Sequence, residues 1–211
     1  MLLAIAVAEA IEKTVPPLSG QVWLKWPNDI LLGDISSQQQ KVAGLLIETI
    51  YESNSSYTSE TNACALLGVG INVNQICSEL PTVQVGKPKP SSLRTYSGYP
   101  IEREHLLTNF CKSLGRWLTD TSDYPEHDKH FVNLDSSKNG TKYTEKIYQT
   151  WRDRLSTLGQ SVIFEQSSSG DTKRCSGIAI DVTPEGALVI QDKNGQCHTF
   201  NAGDITLHKH V

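Results

Sequence analysis

No stretch of the sequence approaches the ~20 consecutive apolar residues that a membrane-spanning helix needs, so a helical membrane protein is not expected. Basic residues are not in excess. Lys and Arg number 19 against 23 Asp and Glu, a formal charge of −4, which leaves no electrostatic footprint for nucleic acid or an anionic lipid surface. Cysteine is sparse: Cys64, Cys77, Cys111, Cys175 and Cys197 are an odd, widely spaced set with no C-x-x-C pair. That pattern supplies neither a disulfide framework nor a zinc site. It reads as five free thiols used for packing in a reducing compartment, the cytoplasm or an organelle. The first residues, MLLAIAVAEAIEK, lack the basic region and small-residue cleavage site of a secretory leader. The six histidines show no H-E-x-x-H spacing, and neither G-x-S-x-G nor G-x-x-x-x-G-K-[ST] occurs. Zinc-hydrolase, serine-nucleophile and P-loop chemistry therefore have no motif here. Internal repeats and heptads are also missing.

What is there suits a globular protein. The 211 residues, 38% hydrophobic and 20% charged, allow one good-sized domain, or a larger one with a small companion, and can close a core without covalent staples. Leu3, Ala6, Val7, Ala10 and Ile11 recur at helical spacing and predict an amphipathic first helix. PPLSG breaks it, and QVWLKW reads as a strand that Pro27 kinks or ends, with DILL resuming it. KVAGLLIETIY is apolar on both parities, the pattern of a strand covered on both faces. ESNSSYTSETN is a polar loop and ACALLGVGINVN the next strand. Residues 75–94 are proline-interrupted and irregular. Leu106, Leu107, Phe110, Leu114 and Leu118 predict the apolar face of a helix, and residues 120 to 141 read as a loop. YTEKIYQTWRDRLSTLG predicts a further helix with Ile147, Trp151 and Leu155 one turn apart and Gly159 at its C′ position. After Gly159 come five short alternating strands. TPEG and DKNG connect them, Asn194-Gly195 being a hairpin signal, and together they read as a small β-barrel.

The residues that carry chemistry lie on the strands. In LLGVGINVN, Leu67, Val69, Ile71 and Val73 share one face; Gly68, Gly70, Asn72 and Asn74 share the other. The glycine–amide face is either a solvated sheet surface or a floor on which a flat ligand approaches the backbone. Lys41 opens an otherwise apolar strand, with Gly44 three residues on, and Lys25 sits within WLKWP. Each is either a lysine with its amine in water or a fixed positive charge in a site. Taken with Asn28 and Asp29, they form the set of cations and amides that an anionic ligand, above all a phosphate, requires. Glu48 reads as a structural partner for a nearby amide or lysine.

KWPNDI, KVAGLLIE and GVGINVN, in that order, resemble the centre of the catalytic domain of biotin protein ligases. LAIAVAEAI before them, PSSLR after them, and WRDRLSTLGQSV leading into GIAIDVTPEGALVI extend the resemblance over roughly residues 2 to 207. It implies an α+β fold like that of the biotin/lipoate ligases and class II synthetases: a mixed, largely antiparallel sheet with helices over residues 1–158, then an SH3-like barrel over 159–211. It implies a two-step reaction. Biotin and MgATP give biotinoyl-5′-AMP and pyrophosphate, and a lysine of a carboxylase carrier domain then takes the biotin. Bringing a carboxylate to an anionic α-phosphate needs charge neutralisation and positioning and no covalent nucleophile. By resemblance, Lys41 contacts the biotin carboxylate and α-phosphate, and Asp29 orients the attacking lysine or accepts its proton. Asn28 and Asn72 contact the adenine or its nearby groups, Gly44, Gly68 and Gly70 let the ligand lie on the sheet, and Lys25 supports the phosphate region. No metal ligand of the chain itself is implied, Mg2+ arriving with the nucleotide. The family's upstream GRGRxGR-like loop has no counterpart in the 211 residues. The expectation is therefore an N-terminally incomplete ligase, with a non-catalytic adenylate- or subunit-binding protein as the alternative. No winged helix precedes the domain, so repressor activity is not expected.

Overall fold

The computed structural model describes residues 1–35, 38–52, 62–83, 86–119, 138–168 and 171–208. Four helices lie within them: α1 (Leu2–Thr14), α2 (Leu93–Ser97), α3 (Arg103–Thr119) and α4 (Lys138–Asp153). Helix α1 forms where its run of strong helix formers predicts, and the five residues of its predicted apolar face are all buried. The buried surface is wider than that face, taking in Ala4, Ile5 and Ala8, and leaves Glu9, Glu12 and Lys13 as a narrow polar side. Its carboxylates are matched rather than solvated. Glu9 accepts from Arg116 and from Trp117 Nε1 at 3.2 Å, and Glu12 takes Arg154 in a bidentate pair at 2.9 and 3.0 Å.

Helix α3 corrects its predicted face. Leu106, Asn109, Ser113 and Trp117 are buried, while Leu107 and Leu118 are exposed. The physical reason is polar. Asn109 Nδ2 donates to Thr14 Oγ1 at 3.0 Å, and Lys13 Nζ donates to Ser113 Oγ at 3.2 Å. Buried polar groups go where partners are, and the end of α1 offers them. Helix α4 ends at Asp153, so Gly159 is not its C′ residue. Gly159 turns instead at φ 78° into the second sheet, donating to Ala179 O at 2.7 Å. Lys138 to Thr141, read as loop, belong to α4. Of the polar connections read at 52–62 and 120–141, residues 53–61 and 120–137 lie outside the described residues, and Glu52 and Asn62 belong to strands.

The first sheet contains β1 (Val22–Lys25), β2 (Asp29–Leu32), β3 (Gln40–Glu52) and β4 (Asn62–Ile71) in that spatial order, each neighbour antiparallel. Pro27 does end the first strand. DILL does not resume it but reverses direction and pairs back as β2. The edge of β1 is covered by a parallel segment, with Leu24 N donating to Arg154 O at 2.8 Å and Ser156 N to Leu24 O at 2.9 Å. The sheet is thus mixed and largely antiparallel. The both-faces-covered reading of β3 holds only at its inner end, where Val42, Ala43 and Leu45 are buried. From Leu46 outward (62% exposed), the β3–β4 arm presents Ile47, Ile50, Leu66 and Leu67 to solvent, and Glu48 is exposed there too. No layer among the described residues covers that arm.

The second sheet has β5 (Ser161–Ser168), β6 (Asp171–Val182), β7 (Leu188–Asp192), β8 (Cys197–Phe200) and β9 (Asp204–His208), all antiparallel, in the order β8-β7-β6-β5-β9. It curls into a small barrel. Phe200, on the β8 end of the order, stacks on Phe164 of β5 with ring centroids 3.8 Å apart. Gly195 at φ 80° closes the predicted Asn-Gly hairpin. Residues of both sheets contribute to one continuous apolar core. The five thiols are free, and Cys64, Cys77, Cys111 and Cys197 are exposed, so the packing role read for all five holds only for half-buried Cys175, which lies against the core. No helix among the described residues is long and apolar enough to cross a membrane.

Candidate functional site

A single row of paired residues crosses the first sheet. Lys25 of β1 stands opposite Asp29 of β2, Asp29 opposite Gly44 of β3, and Gly44 opposite Gly70 of β4. Directly opposed residues of an antiparallel pair share a face, so a cation, a carboxylate and two glycines line up on one surface. The next row outward pairs Leu46 with Gly68. Gly44, Gly68 and Gly70 leave a floor bare of side chains beside the charged groups. A Cβ placed on Gly70 would stand 3.9 Å from the Gly44 carbonyl, so the floor is open there.

Lys41 enters this surface through an irregularity. Between β2 and β3 the register shifts, with Ile30 opposite Ala43 and Leu31 opposite Lys41. Val42 is the extra residue of a β-bulge. Strict alternation would place Lys41 and Gly44 on opposite faces; the bulge brings them to the same one. Asp29 Oδ1 then meets Lys41 Nζ at 2.5 Å, and Asp29 Oδ2 lies 3.8 Å from Lys25 Nζ. The pair lies directly over Gly44, whose added Cβ would stand 3.4 Å from Lys41 Nζ and 3.5 Å from Lys41 Cε.

The two lysines resolve differently. Lys25 is 3% exposed and is not a solvated strand-end lysine. Lys41 is 39% exposed, held by Asp29 yet open on one side. Two cations around one carboxylate leave the cluster net positive, and its open member faces outward. The backbone of Lys41 is gripped from the PSSLR loop: Lys41 N donates to Lys89 O and Ser91 N to Lys41 O, each at 2.8 Å. This use of the loop is not legible in the sequence, because a hydrogen bond to a backbone carbonyl leaves no residue signature.

The amides do more local work than the sequence suggests. Asn28 Nδ2 donates to Leu45 O at 2.7 Å, and Leu45 N returns a bond to Asn28 O at 2.9 Å, clamping the hairpin turn onto β3. Strand β4 ends at Ile71, so the glycine–amide face stops after Gly70. Asn72 Nδ2 donates to Ser91 O at 3.0 Å. Asn74 exchanges two bonds with Ile101 at 2.7 and 2.8 Å. Asn72 thus anchors the loop that supports Lys41, and Asn74 the segment between α2 and α3. Among the described residues no group of three or more His, Cys, Asp or Glu side chains gathers as a metal-ligand set.

Comparison with known proteins finds matches at both ends of the chain. Residues 1–72 match the model of the Biotin/lipoate A/B protein ligase family, and residues 157–207 match that of the biotin protein ligase C terminal domain. The bifunctional ligase/repressor BirA of Bacillus spizizenii is 32% identical over 123 residues, 56% of this chain and 33% of that protein. The Bacillus subtilis protein is 31% identical over the same length. The chain therefore spans about a third of the length of these relatives. Among solved structures, the biotin protein ligase of Aquifex aeolicus in complex with biotin and ATP shares the fold, with a TM-score of 0.58 at 20% identity, covering 99% of this chain and 70% of that one. A biotin protein ligase-like protein of unknown function from Silicibacter matches with a TM-score of 0.59 at 14% identity, covering 94% and 68%. With both family models matched in order and the charged row lying within the first of them, the chain belongs to the biotin protein ligase family.

Proposed function

We propose that the charged row and its glycine floor are part of a site that activates biotin with ATP and passes it to a lysine of a carboxylase carrier domain. The observation that carries the reading is the Lys41–Asp29 pair lying over Gly44, net positive with Lys25 behind it. In the first step a biotin carboxylate oxygen bonds to the α-phosphorus of ATP and the bond to pyrophosphate breaks. Two anionic groups approach each other, and the Lys41 ammonium neutralises the charge that concentrates between them. Gly44, Gly68 and Gly70 let the mixed anhydride lie against the backbone. Lys25, out of water, holds the far oxygen of Asp29 and supports the phosphate region through it. In the second step the carrier amine attacks the acyl carbon, AMP leaves, and Asp29 takes the amine's proton. Asn28 and Asn72 make the adenine-side contacts with the amide atoms not engaged by Leu45 and Ser91. Mg2+ enters with the nucleotide as part of the substrate. Residues 1–158 form the catalytic part and 159–211 the barrel.

The test is a purified-chain assay with biotin, MgATP and a carrier domain, alongside calorimetric binding of a non-hydrolysable biotinyl-adenylate analogue. Lys41→Ala is expected to weaken the analogue at least about tenfold and to lower transfer about 100-fold or more. The exposed Leu46, Ile47, Leu66 and Leu67 favour a second reading, an adenylate- or subunit-binding protein without turnover. Analogue binding without transfer selects that one, and the absence of both binding and transfer in the unmodified chain overturns the ligase reading.

A further inference from the structure

We infer that Trp26 is a positioning residue through which the C-terminal barrel holds the turn that carries Lys25 and Asp29. The turn between β1 and β2 is short, and Pro27 and Asn28 at its tip are exposed. Pro27 has no backbone N–H to anchor it. Trp26, 1% exposed, is fixed on three sides instead. Its backbone N–H donates to Thr157 Oγ1 at 3.0 Å, and its indole Nε1–H donates to the Gly186 carbonyl at 2.9 Å. Its ring packs at 6.4 Å from that of Phe164.

Gly186 belongs to the hairpin between β6 and β7. It takes φ 93° there, and the turn is closed by Thr183 N to Ala187 O and Gly186 N to Thr183 O, each at 2.8 Å. Phe164 is itself stacked on Phe200. A continuous packed path thus runs from the barrel through Trp26 to the residues on either side of it in the charged row. A buried tryptophan that only filled the core would need no partner for its indole nitrogen beyond satisfying it. Here the partner is the turn of a separate sheet, and the residue one position away is the site lysine. The barrel's contribution to the site is orientation, with none of its own side chains in the row.

A comparison built into the fold separates positioning from plain stability. Tyr148 of α4 donates its hydroxyl to Val182 O at 2.8 Å, a second side-chain bond from outside the barrel to a barrel carbonyl. It lies away from the row. Trp26→Phe and Tyr148→Phe each delete one such donor and strand one carbonyl. Hydrogen exchange on the full chain is expected to rise about tenfold in residues 25–30 for Trp26→Phe, with Tyr148→Phe leaving those amides within about twofold of the unmodified chain. Equal effects of the two variants on these amides, or a rise spread evenly over the chain, would overturn the inference. The consequence for binding rests on the ligase reading: the biotinyl-adenylate analogue should weaken about tenfold with Trp26→Phe only. If the exchange contrast appears but the unmodified chain binds no analogue, the ligase reading falls and the positioning role of Trp26 stands.

Discussion

Lys41 and Gly44 are three residues apart in a strand, and strict alternation would put them on opposite faces. The extra residue Val42 is what unites them. Reading KVAG from the sequence gives the residue types of the site without their geometry, because a bulge depends on how β2 pairs with β3. Lys25 is similar. Its letter is compatible with a solvated strand end, and only its burial beside Asp29 makes it a fixed charge. The prediction at this scale is steric. Gly44→Val would set a branched side chain against Lys41 Nζ and Cε, already 3.4 and 3.5 Å from the Cβ position, and displace the ammonium from Asp29. The biotinyl-adenylate analogue should lose about tenfold in affinity. Thermal stability should hold, since a β-branched residue suits a strand. Unchanged affinity in calorimetry would show that the pair over Gly44 is not the binding element.

At the scale of elements, turn chemistry was the most legible part. Pro27 ends β1, and Asn194-Gly195 closes the β7–β8 hairpin, because each fixes its backbone locally. Helix faces were less legible. The leucine spacing of α3 pointed to Leu107 and Leu118, yet the buried stripe runs through Asn109 and Ser113, whose partners lie on α1 far away in sequence. Contacts between α4 and the barrel carry a pH dependence. Arg152 Nε donates to Asp181 Oδ1 at 2.8 Å, and this bond, with the Val182 N–H, holds the Asp181 carboxyl below its ordinary range. A carboxylate depressed by folding stabilises the fold above its unfolded pKa, and that contribution disappears as pH falls through the lowered value. Asp192, held low by His198, acts in the same direction. The melting temperature should therefore drop below about pH 4. Asp181→Asn should cost less than about 1 kcal/mol at neutral pH and converge with the unmodified protein in acid. A gap between the two melting curves that stays constant from pH 7 to pH 3 would contradict this assignment.

For the whole molecule the outer arm of β3 and β4 is the informative feature. It exposes Leu46, Ile47, Ile50, Leu66 and Leu67, and β4 has no partner on its outer edge among the described residues. The exposed stretch Cys64 to Gly70 contains neither charge nor proline, the devices by which edge strands ordinarily resist association. The 211-residue chain on its own is expected to self-associate in a concentration-dependent way, and Leu67→Lys, placing a charge on the exposed edge strand, to shift it toward monomer. Size-exclusion chromatography with light scattering checks this. A sharp, concentration-independent monomer of the unmodified chain would rule it out. The sequence signalled that β3 should be covered on both faces, and that signal is a property of the residues even where no covering layer is described.

The sequence by itself determined most of the elements, the terminal barrel, the identity of the charged and glycine residues and, through the family resemblance those motifs carry, the α+β class. These follow from periodicity, from turn chemistry and from motifs whose letters are local. Tertiary structure alone decided that Lys25, Asp29, Gly44 and Gly70 form one row, that a bulge adds Lys41 to it, and that Trp26 ties the row to the barrel. Those relations join residues up to 160 positions apart and run through backbone carbonyls, which every residue carries alike. Only the fold distinguishes one from another.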